Sequence, residues 1–239
     1  MSDGGVTRTN EFGQPIGDEV PGWTPRPAAE PESLVGRHVR LERLRLAHRD
    51  VLHGPMVLDS SPSTWTYYPY PDLSEPAAFD DYLASLLALP AAWPMAILSP
   101  SGAGLGVACY LRKDAANGSV EVGGIVFADA AQRTTAATEA IWLMLAHAFD
   151  DLGYRRFEWK CDSLNLPSRR AARRLGFVEE GTFRNAMVYR GRNRDTTLFS
   201  ITDEEWPVVY AALTAWLAPD NFDDSGTQLV RLESLRAEL

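Results

Sequence analysis

The sequence predicts an α/β fold, a mixed central sheet flanked by helices in a single domain. Three features point there. Apolar or alternating runs bounded by turn residues recur between residues 94 and 127, two later segments carry helical spacing, and a strand-like run separates those two segments. The order is therefore strands, hairpin pair, helix, strand, helix, strand, which interleaves the two kinds of element.

From the N-terminus, residues 1–33 are rich in Gly, Pro and polar residues and show no period of 2 or 3.6, so they read as an extended arm whose Trp23 is able to dock on the body. Gly36 to Leu46 alternates Val39, Leu41 and Leu44 with charges, a half-exposed first strand, and a helix is expected from Ala47 to Asp59. The run SSPSTWTYYPYPDLS holds too much proline for helix or central strand and makes a loop with an aromatic surface. Ser74 offers an N-cap for a helix running toward Leu89.

Pro94–Leu98 and Leu105–Arg112 read as strands joined by the turn SPSGAG, and Asn117-Gly118 signals a hairpin into a strand over Val120–Phe127. Thr134 to Leu152 sets Ala137, Ile141, Met144, Leu145, Ala148 and Leu152 in one apolar helical stripe. A strand over Arg156–Cys161 leads to a helix over Ser168–Leu175, closed by Gly176 as C-cap. Thr196–Ile201 is a further strand and Asp203–Leu217 a further helix. The domain then spans residues 34–217, and 218–239 is a tail in which Leu229, Leu232, Leu235 and Leu239 are spaced for a short helix and for a homodimer contact, the alternative being a monomer.

Composition excludes several classes. Hydrophobic residues make up 45% and charged residues 23% of 239, an ordinary globular mix, and no run approaches the ~20 apolar residues of a membrane span. The polar N-terminus carries no secretory pattern, so a cytoplasmic location is expected. Cys109 and Cys161 are far apart and read as buried free thiols, and His38, His48, His53 and His147 lack metal-ligand spacing, so no metal is expected. The net charge of −9 argues against nucleic acid as partner. It is unevenly spread: residues 155–194 carry eleven Lys/Arg against four Asp/Glu, leaving −16 for the rest, and a basic block on an acidic chain suggests a local anion site or simply solvated helix faces.

The chain has no G-x-S-x-G elbow, no G-x-x-x-x-G-K-[ST] loop, and the glycines of SGAGLG fail dinucleotide spacing. What it does have is VEVGGIVFADAAQRTTAATEA, a strand running through a short loop into a long helix. Such a helix start aims unpaired N–H groups and the positive end of the dipole into one volume, a phosphate site that needs no lysine, although every strand–helix unit shares the feature.

The stretch CDSLNLPSRRAARRLGFVEEGTFR resembles the signature N-x-x-S-…-L-G-F-…-E-G-…-R of the GCN5-related N-acetyltransferase (GNAT) superfamily, through Asn165, Ser168, Leu175, Gly176, Phe177, Glu180, Gly181 and Arg184. The family's phosphate loop, Q/R-x-x-G-x-G/A, is similar to Gln132-x-x-Thr135-x-Ala137, with Thr135 replacing the first glycine. That puts a side chain where backbone usually approaches phosphate, though a threonine hydroxyl can itself donate. The similarity covers about Leu34 to Leu217 and is nearest to the RimJ/RimL-like branch, which the aromatic loop at Trp65 and the DEEWP at Asp203 also fit.

The resemblance implies a GNAT fold, in which a V-shaped splay opens between the parallel strands Val120–Phe127 and Arg156–Cys161, with acetyl-CoA as acyl donor lying in the V. Backbone N–H groups of Gln132, Arg133, Thr134, Thr135, Ala136, Ala137 and Thr138 would cradle its pyrophosphate, and those near Ile125 or Phe127 would hold the pantetheine arm and the thioester oxygen. Arg133, Arg169 or Arg173 would reach the remaining phosphates. A neutral amine would attack directly with both substrates bound. Glu121 is the first candidate base and Glu139 the second, each with the alternative of a structural carboxylate. Ser168 would protonate the departing thiolate, or else cap its helix, with Tyr189 a less specific choice; Asn165 would bond the pantetheine or acyl region. The acceptor pocket would draw on Trp65, Tyr67, Tyr68, Trp159 and, after Gly181, Arg184, for a protein N-terminus or a small-molecule amine. Two other activities fit the same residues: a non-catalytic acyl-CoA-binding or sensor module, and a transferase for another acyl group such as succinyl.

Overall fold

The computed structural model describes residues 8–70 and 72–239, so the first seven residues of the expected arm and Pro71 of the aromatic loop lie outside it. Eight strands form one sheet: β1 (Ser33–Val35), β2 (Arg40–Arg43), β3 (Trp93–Leu98), β4 (Gly104–Asp114), β5 (Ser119–Phe127), β6 (Arg156–Asp162), β7 (Val178–Tyr189) and β8 (Arg192–Thr202), in the order β1-β2-β3-β4-β5-β6-β8-β7. All neighbours are antiparallel except β5 and β6, whose crossover is made through a helix, α3 (Thr135–Ala146).

Each face of the sheet has its own apolar layer. Behind it, Ile141, Met144 and Leu145 of α3 and Val209, Leu213 and Trp216 of α5 (Trp206–Leu217) pack on Val120, Val122, Phe157, Phe199 and Ile201. In front, Leu52 of α1 (Arg49–His53) and Phe79, Tyr82, Leu83 and Leu86 of α2 (Pro76–Ala88) cover Leu98, Val107 and Cys109, with Trp65 beside them. Each fully buried side chain of this kind contributes about 1.5–3 kcal/mol, so the two layers together drive the fold. The front helices stop short of β6, β7 and β8, and that half of the front face stays open to polar side chains.

Several boundaries differ from the sequence expectation, each for a local reason. The expected helix over Ala47–Asp59 breaks into a 3-10 turn, α1 and a widened turn over Gly54–Leu58, because Pro55 lacks an N–H. Ser74 does not cap α2; Pro76 opens that helix, and the Ser74 N–H goes to Asp72 Oδ1 at 2.9 Å. Helix α4 (Leu166–Leu175) starts before Ser168: Asn165 is its N-cap, Pro167 sits in the first turn, and Gly176 closes it at φ +106°. β1 and β7 escape the pattern search, since β1 has three residues and β7 is exposed along nearly its whole length, pairing through backbone with side-chain bonds added between Thr182 and Thr197 and from Ser200 to Glu180.

The arm docks on the body. The Trp23 indole N–H reaches Ala116 O at 2.9 Å, Tyr154 donates to Pro27 O at 2.9 Å, and Ala29 is fully buried. Of the tail leucines, Leu232 opens α6 (Leu232–Ala237) buried in the chain's own core and Leu235 packs against that core, while Leu229 and Leu239 are exposed.

Candidate active site

The site grows from a mismatch in strand length. β5 and β6 pair only through Ser119–Arg156, Val120–Phe157, Glu121–Glu158 and Val122–Trp159, while β5 continues to Phe127 and stays paired to β4 on its other side. Past Val122 the two parallel strands separate. A bulge sits at the divergence: Gly123 faces Cys109 and Val126 faces Val107, so β5 spends one extra residue there. Gly124 supplies the required φ of +58°, and a Cβ on it would stand 3.3 Å from Cys109 Sγ.

Within a strand, a residue's N–H and C=O leave on the same edge. The Ile125 carbonyl accepts the Tyr68 hydroxyl, and the Phe127 carbonyl accepts Gln132 Nε2 at 3.3 Å, so both residues turn their polar backbone to the edge that β6 has abandoned. The Ala128 N–H, one residue on, goes to Leu105 O on the β4 side, as alternation requires. Ile125 and Phe127, named from the sequence, therefore offer donors into the V.

The edge leads to the start of α3. Thr134 is its N-cap, accepting the Ala137 N–H at 3.3 Å and donating to Ala131 O at 2.7 Å; the Thr138 N–H returns to Thr134 O. Thr135 and Ala136 are the first two helical residues, whose N–H groups have no partner inside the helix. Arg133 holds φ +60° to turn the chain into the helix; its side chain is exposed and makes no ion pair among the described residues. Gln132 is spent on Phe127 and Asp129. These residues suit a phosphorylated donor: two unpartnered N–H groups, a helix dipole and one unpaired guanidinium, with the Thr135 side chain part-exposed at the same spot. Arg169 and Arg173 are engaged elsewhere, both bonded to Glu179.

At the start of α4, the Asn165 Oδ1 accepts the Ser168 N–H at 3.1 Å, and Ser168 Oγ accepts the Trp159 indole N–H at 3.0 Å beside the Cys161 thiol. Burial pushes that thiol up, against the opposing bond from Ser168, and burial pushes Cys109 up to about 12, so both cysteines are the inert buried thiols expected. Trp159, assigned to the acceptor pocket from the sequence, is 6% exposed behind the sheet against Phe177 and does not join the aromatic loop. Arg184 lies on the exposed β7 with Asn185 and Asp195.

The open front face carries a charge relay. Glu121, 3% exposed, pairs with Arg112 (Nε 2.7 Å) and Lys160 (Nζ 3.1 Å); Lys160 also pairs with Glu158 at 2.7 Å, and Arg156 joins Glu158 to Glu180. Burial opposes ionisation of Glu158, but the bonds from Lys160 and Arg156 outweigh it and hold that carboxyl low; Arg156 does the same for Glu180. Arg156 is itself held up by Glu180. Five cations of the basic block, Arg155, Arg156, Lys160, Arg169 and Arg173, are thus paired with carboxylates. The partners of Glu121 were missed from the sequence, although β6 signals Lys160, with Arg156, Glu158, Lys160 and Asp162 alternating with Phe157, Trp159 and Cys161. Glu139, the second candidate base, is taken up structurally. Its carboxylate accepts the N–H groups of Arg37 (2.9 Å) and His38 (2.6 Å), and a Cβ on Gly36 would meet it at 2.6 Å.

The aromatic loop is pinned by Trp65, 7% exposed, whose indole N–H reaches Met56 O at 3.3 Å. Tyr67 donates to Leu164 O at 2.9 Å and Tyr68 to Ile125 O, so this loop touches both sides of the V. Burial raises the Tyr68 hydroxyl and keeps it protonated. Tyr189 donates to the buried Asp162 at 2.9 Å.

Residues 38–178 match the family described as the acetyltransferase (GNAT) domain. A GCN5-related N-acetyltransferase from Brucella melitensis is 41% identical and superimposes with a TM-score of 0.87 over 90% of this chain and 99% of that one. A probable GNAT-family acetyltransferase from Chromobacterium violaceum is 38% identical, with a TM-score of 0.75 over 81% and 98%. Mycobacterium smegmatis RimJ, solved with CoA-disulfide, shares the fold at 22% identity, with a TM-score of 0.63 over 75% and 91%.

Proposed function

Because this chain belongs to the GNAT acetyltransferase family, we propose that it is an N-acetyltransferase carrying the acetyl group of acetyl-CoA to a primary amine, a protein N-terminus or a small-molecule amine, by direct attack with both substrates bound. The observation that carries this reading is the parting of β5 from β6 after Val122–Trp159, with the released edge of β5 leading to the start of α3. A placement in the RimJ/RimL-like branch rests on the sequence signature; the RimJ structure supports it through fold alone.

Bound acetyl-CoA supplies the acetyl group as an activated thioester, and the chain supplies the rest. The N–H groups of Thr135 and Ala136 and the Arg133 guanidinium bind phosphate oxygens. The N–H groups of Ile125 and Phe127 align the pantetheine arm and polarise the thioester oxygen. Glu121, paired with Arg112 and Lys160, draws the proton from the incoming ammonium through water. Ser168 donates to the leaving thiolate while Asn165 fixes its backbone. A second reading, an acyl-CoA-binding module without turnover, draws support from the Thr135 side chain in the phosphate loop and from the two cations that occupy Glu121.

Calorimetric titration with acetyl-CoA tests the first step, with Thr135→Glu as control. Glutamate suits the first turn of a helix, so the variant stays folded, yet its charge opposes phosphate. Binding by the wild type and not by the variant supports the loop assignment; no binding by either sinks both readings. Thiol release across a panel of primary amines then separates them, since a binding module turns none over.

A further inference from the structure

Resting on the acyl-donor reading above, we propose that Tyr67 and Tyr68 form a strap across the mouth of the V that restricts the acyl group to about the length of acetyl. Two consecutive tyrosines reach opposite sides of the opening. The Tyr67 hydroxyl bonds to Leu164 O in the β6–α4 loop, next to Asn165, and the Tyr68 hydroxyl bonds to Ile125 O on β5. The rest of the loop is held as firmly. Ser61 N–H and Thr64 Oγ1 both bond to Asp129, at 2.8 and 2.6 Å, and Arg192 donates to Thr66 O at 3.3 Å. Behind the strap, Trp65 is buried and packs edge-on against Tyr68 (5.6 Å) and Tyr82 (5.2 Å), so the Tyr68 ring has no space to retreat into.

The consequence follows from which atoms Tyr68 touches. On the acyl-donor reading Ile125 is one of the two residues whose N–H groups align the arm and polarise the thioester oxygen, and its carbonyl leaves on the same edge, under the Tyr68 hydroxyl. The tyrosine therefore stands on the edge along which the acyl group would lie. An acetyl methyl ends there, whereas further methylenes must push into a ring that the core backs. One methylene more than a rigid pocket accepts changes selection by about 10- to 200-fold.

The test is calorimetric titration of the full chain with CoA, acetyl-CoA, butyryl-CoA and succinyl-CoA, repeated for Tyr68→Ala and for the double variant Tyr67→Phe/Tyr68→Phe. Wild type is expected to bind butyryl-CoA and succinyl-CoA at least about tenfold more weakly than acetyl-CoA. Tyr68→Ala is expected to shrink that ratio toward one, and the double variant, which keeps the rings and loses both tethers, to shrink it in part. Equal affinity of the wild type for acetyl-CoA and either longer donor overturns the strap, as does an unchanged ratio in Tyr68→Ala. Should Tyr68→Ala not fold, the double variant decides, and an unchanged ratio there overturns the proposal. If the strap alone fails, acetyl-CoA still binds and the ratio is flat; if no CoA species binds, the acyl-donor reading falls and the strap with it.

Discussion

Replacing Glu121 by Gln separates the two roles its surroundings allow. The carboxylate is 3% exposed and bonded to Arg112 and Lys160. Removing one partner of a buried pair costs 3–5 kcal/mol when it strands a buried charge. Here neither cation is stranded: Lys160, 16% exposed, keeps Glu158 at 2.7 Å, and Arg112 is 59% exposed to water. The Gln amide also retains an acceptor. The loss therefore reduces to one charge-assisted bond, about 1.5–3 kcal/mol, within the 5–15 kcal/mol of a typical domain. The variant should fold, with its urea midpoint lowered and its m-value unchanged. If Glu121 is also the base, kcat/KM toward whichever amine the panel identifies falls by about 10²–10⁴. A urea midpoint equal to wild type would refute the buried pair. Lowered stability with unaltered kcat/KM would confine Glu121 to a structural role.

Other perturbations follow from single contacts. Gly124→Ala puts a Cβ at φ +58° beside Cys109 and should lower stability by about 1–2 kcal/mol, read by urea unfolding, with weaker acetyl-CoA binding because the bulge aims Ile125. Thr134→Ala removes the side-chain cap of α3 and should cost about 1 kcal/mol by the same assay. Glu158 and Glu180 both titrate below their ordinary 4.5 when folded, so their stabilisation is complete above that pH and is lost as pH falls through the lower folded values; an acid unfolding curve should show Arg156→Gln losing stability at neutral pH and flattening that acidic slope. Cys109, buried and pushed up to about 12, should resist iodoacetamide at pH 8 until urea unfolds the chain, and rapid labelling of the native protein at that position would contradict its burial.

Much of the fold could be read along the chain because it depends on neighbours in sequence. The stripe Ile141, Met144, Leu145 and Ala148 is buried as its period requires, and Gly176 closes α4 in the left-handed conformation that glycine favours. The phosphate-loop candidates from Thr134 to Ala136 likewise lie at the start of a helix, since a helix start is a local event. β7 could not be read, because nothing in VEEGTFRNAMVY alternates and its ladder with β8 rests mainly on backbone that every sequence shares.

By itself, the sequence determined which residues carry chemistry and which faces are apolar, since side-chain identity and local period are written in it. Only the tertiary structure decided what those residues meet. It set Trp159 behind the sheet and Glu139 beneath the turn after β1, gave Glu121 two cations, and brought Tyr67 and Tyr68 to opposite sides of a gap formed by strands about 60 and 100 residues further along the chain. The physical reason is that such contacts depend on register and on where β5 and β6 stop pairing. Those are properties of the closed sheet, to which every strand contributes and which no single segment encodes.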